Sequence, residues 1–276
     1  MSGPELKLYH TTAGVVLERA GARFAPAESW DALLNRPHLH EYLAELDAAR
    51  FLHELPPLRA PVGMQEVWAA GVTYWRSRTA RMAEAEAAGG GSFYDRVYEA
   101  ERPELFFKAA GWRVRGPGAP IRVRRDARWS VPEPELAAYF NNRGELVGFS
   151  IGNDVSARDI EGENPLYLPQ AKIFDGACAL GPALLVTPEP LPPETTIALR
   201  IGRGDDVACE GSTTLAQLRR SPAELAAYLF RETSFPAGCV LLTGTGIVPP
   251  DDFTLQRGDE VTITVAPIGT LVNRVE

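Results

Sequence analysis

From Leu105 to the C-terminus the chain is cut into short apolar segments by proline and glycine, and this punctuation limits the fold more than any other feature. Phe106-Phe107, Ile121 to Val123, Glu135 to Phe140, Leu146 to Ile151, Leu184 to Val186, Thr196 to Ile201, Val240 to Thr243 and Val261 to Val265 are short runs of strand-forming residues. Proline breaks helix interiors, and the 23 prolines and 25 glycines recur too closely here for long helices. Only Pro222 to Arg231, capped by Ser221, reads as a full helix in this half. The expectation is an α+β chain, predominantly β, with sheets folded over one another and no internal repeat.

The first half has a different texture. Lys7 to Phe24 reads as short strands, Ser29 or Asp31 caps a helix through Leu34, and His38 to Phe51 carries apolar residues at helical spacing. Leu55-Pro56-Pro57-Leu58-Arg59-Ala60-Pro61 stops that pattern, which places a boundary between a small N-terminal domain, 1–60, and a larger one, 61–276. Glu66 to Val72 reads as a buried strand. The polar, helix-prone stretch Arg76 to Ala88 ends in Gly89-Gly90-Gly91-Ser92, a hinge for a lid around 74–98 or an ordinary surface loop.

Charge removes whole classes of partner. Lys and Arg number 28 against 36 Asp and Glu, a net charge of −8, so there is no overall positive field to gather nucleic acid or anionic lipid. The longest mostly apolar stretch, Ala177 to Val186, is broken by Gly181-Pro182 and is too short for a membrane span. Three unclustered cysteines and an N-terminus without an export pattern point to a reducing cytoplasm.

The sharpest local signal is Val131-Pro132-Glu133-Pro134-Glu135-Leu136. On a strand, Glu133 and Glu135 share a face about 6.5 Å apart, and Pro134 between them suits an edge or bulged position. Such a pair is either exposed to water or gathered on a metal ion. Asp154 closes the next strand, and a hairpin would return it to the Glu pair. All four histidines lie in the first 53 residues, so hard oxygen donors dominate, and Mg²⁺ is the first choice with Mn²⁺ or Ca²⁺ possible. His38 and His40 are two apart on a helix and do not share a face.

Downstream, Asp154-Val155-Ser156-Ala157-Arg158-Asp159 is followed by Lys172 and by Gly244-Thr245-Gly246. With Glu133 and Glu135 this ordered set strongly resembles the fumarylacetoacetate hydrolase family over roughly residues 64 to 276. Glu161 to Lys172, together with Arg102 to Lys108, is similar to the branch of that family that dehydrates 2-keto-3-deoxy-D-arabinonate. The resemblance implies a mixed β-sandwich roll assembled as a homodimer or homotetramer. It implies a divalent metal on Glu133, Glu135 and Asp154, and a small 2-keto acid substrate. The family's carbon–carbon hydrolases carry a lid histidine where this chain has Ser77, so an acylpyruvate or fumarylacetoacetate-type hydrolase, the alternative activity, would lack its usual base. A dehydratase needs proton transfer at carbon instead: metal-stabilised enolate formation at C3, loss of the C4 hydroxyl and tautomerisation through C5 to 2-ketoglutarate semialdehyde.

Within that scheme Lys172 is the expected catalytic residue, as base or as fixed positive charge, and Glu161 or Glu163 the acid for the leaving hydroxyl. Thr245 resembles the family's substrate-carboxylate contact or simply makes a tight turn. Arg78 and Tyr74 would reach the substrate from the lid. The arginines at 113, 115, 122, 124, 125 and 128 read as a solvated face or a subunit contact. A non-catalytic binding module is the third reading, against which Lys172 beside a half-open metal site speaks.

Overall fold

The computed structural model describes residues 5–47, 51–75 and 99–276. Fifteen strands among them build a nine-stranded mixed sheet, a four-stranded antiparallel sheet and a two-stranded ribbon. The large sheet runs β3 (Ala22–Phe24), β2 (Gly14–Arg19), β1 (Leu6–Thr11), β10 (Cys178–Val186), β8 (Leu146–Asp154), β7 (Pro134–Phe140), β13 (Cys239–Leu242), β4 (Glu66–Gly71), β5 (Glu104–Ala110). The small sheet runs β12 (Asp206–Thr214), β11 (Thr196–Arg203), β14 (Glu260–Val265), β15 (Gly269–Arg274), and β6 (Ser130–Val131) pairs with β9 (Ser156–Ala157). The predominantly β expectation holds, and the sheets pack face to face rather than closing.

Packing explains why β7 is apolar from Leu136 to Phe140. Leu136, Ala138 and Phe140 face Ile197, Leu199, Val261 and Ile263 of the small sheet in one core. Ala137 and Tyr139 face the opposite way, into a second core with Leu6, Leu8, Leu33 and Leu43 from the N-terminal segment. A strand buried on both faces needs a continuous apolar run, not alternation. The N-terminal strands extend the large sheet directly, with Lys7 opposite Leu185 and Leu8 opposite Leu184, so the units 1–60 and 61–276 share one sheet and the second core.

Four local expectations meet the structure with different results. Helix α1 (Trp30–Leu34) is capped by Ser29, whose side chain accepts from the Ala32 amide. Helix α2 (Leu39–Glu45) stops before the expected Phe51, because Phe51 bridges to Phe24 and the two rings meet at a tilt of 56° with centroids 4.8 Å apart. Pro134 lies on neither an edge strand nor a bulge: it is the first residue of a central strand, and its missing amide is tolerated because β13 pairs with β7 only from Ala137 onward, leaving no ladder partner on that side at Pro134. Three further helices follow, α3 (Arg158–Glu163), α4 (Leu168–Lys172) and α5 (Pro222–Leu229), the last capped by Ser221 as expected. Among the described residues no helix is long and apolar enough to cross a membrane.

Candidate metal centre

The hairpin β7–β8 builds the site. Antiparallel pairing sets Pro134 opposite Asn153, and the Asp154 amide donates to the Glu133 carbonyl at 3.0 Å. That register brings Asp154 from the end of β8 onto the face shared by Glu133 and Glu135. One carboxylate oxygen from each of the three lies within 4.8 Å of the others, and all three residues are buried, at 4%, 1% and 1% exposure. Among the described residues this is the sole cluster of three or more metal-ligating side chains.

Three carboxylates cannot be buried together without cations. Lys172, at the end of α4, points its Nζ at Glu133 Oε2 (2.7 Å), Asp154 Oδ2 (3.1 Å) and Ser156 Oγ (2.6 Å). Arg158, at the start of α3, donates from a terminal guanidinium nitrogen to Glu133 Oε1 at 2.8 Å, and its Nε stands 3.9 Å from Glu161. Lys108 in β5 is paired with Asp154 Oδ1 and donates to the carbonyls of Val155 (2.9 Å) and Lys172 (2.7 Å).

Glu135 is different. Its Oε2 accepts from the Gly244 amide at 2.6 Å, and among the described residues it has no cation within ion-pair distance. Burial, then the negative charges of Asp154 and Glu133, push its carboxyl well above the usual carboxylate range. A divalent ion among these oxygens would relieve that repulsion, and an all-oxygen donor set with hard carboxylates suits Mg²⁺. The residues present therefore fit the metal.

The remaining expected residues fall around this centre. Thr245 lines the narrow cleft over the carboxylates, but its hydroxyl is engaged within its own turn, donating to the Ile247 carbonyl and accepting from the Ile247 amide, both at 3.2 Å. Gly244 takes φ +91°, which frees its amide to reach Glu135. Tyr74 is buried against that turn: a Cβ at Gly246 would lie 2.5 Å from its ring. Burial, and then the charge on Glu135, push its phenol well up. Glu161 is buried at 1% exposure, whereas Glu163 is exposed at the end of α3. Arg78, Ser77 and the lid beyond Trp75 up to position 98 lie outside the described residues. Arg122, Arg124 and Arg113 are paired with Glu276, Asp126 and Asp175, in keeping with a solvated face.

Sequence reasoning gave no role to Lys108, Ser156 or Arg158. Ser156 and Arg158 stood inside the quoted Asp-x-Ser-x-Arg-Asp stretch, and Lys108 was the lone charge within Phe106-Phe107-Lys108-Ala109-Ala110. A lysine in an otherwise apolar strand interior was the available signal.

Comparison with known proteins agrees with this geometry. Residues 72–276 match the family model described as fumarylacetoacetate hydrolase C-terminal. A Haloferax volcanii protein named "Probable 2-keto-3-deoxyxylonate dehydratase" is 49% identical over 217 residues, which is 78% of this chain and 73% of that relative. The 2-dehydro-3-deoxy-D-arabinonate dehydratase of Saccharolobus solfataricus is 44% identical over 219 residues, with the same coverage. A solved structure of 2-keto-3-deoxy-D-arabinonate dehydratase complexed with magnesium and 2,5-dioxopentanoate superposes with a TM-score of 0.84 at 33% identity, over 99% of this chain and 98% of that one. With the carboxylate hairpin, the sheet order and the sequence in accord, the chain belongs to the fumarylacetoacetate hydrolase family.

Proposed function

We propose that this protein is a magnesium-dependent dehydratase that converts 2-keto-3-deoxy sugar acids, 2-keto-3-deoxy-D-arabinonate foremost, to 2-ketoglutarate semialdehyde and water. The observation that carries the reading is a buried lysine, Lys172, in direct contact with two of three clustered carboxylates. The 44% and 49% identity to dehydratases of this substrate class supports the choice of reaction.

Glu133, Glu135 and Asp154 would hold the metal, which supplies a Lewis acid to the substrate's 2-keto oxygen. The chain's own residues supply the proton steps. Three acceptors surround Lys172 Nζ, matching the three N–H donors of an ammonium. Passing one proton across the 2.7 Å contact to Glu133 Oε2 would leave Nζ able to take the C3 proton of the substrate, and the same contact would return it. Expelling the C4 hydroxyl as water needs a second proton. Of the two expected acids, Glu161 is buried beside Arg158, which itself lines the cleft, whereas Glu163 is exposed, so the role falls to Glu161. A C5 hydrogen then moves through the enol to give the aldehyde. Thr245, Tyr74 and Arg78 are assigned to substrate contact, and a lid around 74–98 to the exclusion of water. The catalytic unit is 61–276, in a cytoplasmic homodimer or homotetramer.

Turnover of 2-keto-3-deoxy-D-arabinonate with Mg²⁺, with and without EDTA, tests this beside acetylpyruvate as the hydrolase control. Semialdehyde that appears with Mg²⁺ and disappears with EDTA is expected. Cleavage of acetylpyruvate with no dehydration would overturn the reading.

A further inference from the structure

The buried charges around the cleft do not merely permit a metal; they bias when it stays. Among the described residues the carboxylates are Glu133, Glu135 and Asp154, with Glu161 behind Arg158, and the cations are Lys108, Arg158 and Lys172. With all four carboxylates ionised, four negative charges against three positive leave one negative charge. A divalent ion alone turns that into one positive charge, in a region where none of these seven residues exceeds 4% exposure and water screens poorly. A singly charged carboxylate entering with the metal returns the sum to zero. Glu104, beside Gly71 at the rim, is only half-buried and has a partner of its own.

We propose that the three buried cations make metal binding conditional on a 2-keto carboxylate, so that metal and substrate anion bind cooperatively, with Lys108 as the counter-charge that sets the coupling. Lys108 is suited to that job because it is not part of the cleft lining. All three of its donors go to the site's framework: Asp154 Oδ1 and the carbonyls of Val155 and Lys172. Its charge is therefore felt by any cation that Asp154 holds, while its side chain stands behind the carboxylates. Asp154 divides its two oxygens between Lys108 and Lys172, so the incoming metal competes with an ammonium on each. The inference rests on the proposed metal-dependent reading, and by reciprocity the metal must tighten the anion by the same factor as the anion tightens the metal.

The test is Mn²⁺ titration of metal-stripped full-length protein, with free Mn²⁺ read by electron paramagnetic resonance. It is run alone, with pyruvate, and with pyruvamide. Pyruvate has no C4 hydroxyl to lose, and pyruvamide offers the same pair of oxygens without the charge. Pyruvate is expected to tighten Mn²⁺ at least tenfold and pyruvamide less than threefold. Lys108→Met should tighten Mn²⁺ alone at least tenfold and shrink the pyruvate effect. Equal tightening by pyruvamide would assign the coupling to chelation and overturn the proposal. So would unchanged affinity with pyruvate, or weaker Mn²⁺ binding by a folded Lys108→Met protein. If that variant does not fold by circular dichroism, the pyruvate and pyruvamide arms on the unmodified protein decide alone. Mn²⁺ that binds without coupling defeats this inference only, whereas no Mn²⁺ binding under any condition defeats the proposed function with it.

Discussion

Replacing Lys172 separates what this side chain does for the fold from what it does for the chemistry. At 1% exposure its ammonium serves Glu133, Asp154 and Ser156 at once, so Lys172→Met removes one cation from two buried carboxylates, leaving Arg158 for Glu133 and Lys108 for Asp154. Removing one partner of a buried ion pair costs about 3–5 kcal/mol. Against a total stability of roughly 5–15 kcal/mol the variant folds, with its midpoint lowered by roughly 6–20 °C at about 2–4 °C per kcal/mol. Saturating Mg²⁺ recovers much of that loss, because it supplies positive charge to the same oxygens. It does not recover the reaction: loss of a positioned base lowers turnover by about 10²–10⁴-fold. The assay that isolates the step is exchange of pyruvate methyl protons into D₂O by NMR, which reads proton abstraction without any elimination. Lys172→Arg is expected to fail this assay as Lys172→Met does, since a guanidinium keeps its proton. An arginine variant that exchanges pyruvate at a tenth or more of the unmodified rate would refute Lys172 as the base and leave it as a fixed charge.

Other consequences follow from single contacts. Glu135→Gln removes a carboxylate that burial and its two acidic neighbours hold well above its ordinary range. A raised carboxyl favours the folded state in its protonated form and costs stability as pH climbs through its folded value. The metal-free protein should accordingly gain stability as pH falls from neutral toward about 4.5, a trend that Glu135→Gln flattens in chemical denaturation while turnover drops by at least about 10²-fold. Gly244→Ala would set a Cβ 1.9 Å from Thr73 Oγ1 at φ +91°, so a loss of about 3 kcal/mol and of Mg²⁺ affinity is expected by calorimetry. Ser221→Ala removes only the cap whose side chain accepts from the Glu224 amide at 3.1 Å; it should cost about 1 kcal/mol with turnover unchanged.

Where the sequence was a good guide, local rules and tertiary demand coincided. Apolar runs between prolines became strands because β7, β8, β10 and β13 sit inside the large sheet and are buried on both faces. Strand β12, Asp206–Thr214, escaped notice because it is an edge strand with no fully buried residue, so neither an apolar run nor a clean alternation marks it. The end of α2 was misplaced for a related reason: helical spacing continues to Phe51, but contact with Phe24 draws that ring into the N-terminal strands. Local periodicity is a weak preference, and a strand bridge with an aromatic contact outweighs it.

The carboxylates and the cations differ in legibility because of how each is assembled. Glu133 and Glu135 share a face by strand period alone, and Asp154 joins them through one hairpin, so the ligand set follows from a single local element. The cations arrive by topology. Lys108 lies 47 residues before the Val155 carbonyl and 64 before the Lys172 carbonyl that it holds, and only the placement of β5 and α4 brings them together. Its apolar neighbours in Phe106-Phe107-Lys108-Ala109-Ala110 are consistent with burial but name no partner: Lys108 is 1% exposed while nearby Trp112 is 77% exposed. A lysine is almost never fully buried unless paired. The energetic cost of burying Lys108 is met by Asp154 and two carbonyls, and its consequence is felt at the same carboxylate proposed to hold the metal. A buried charge in this chain is therefore read from the partners that the fold delivers to it, and the sign and size of its effect on the metal follow from those partners rather than from the strand it sits in.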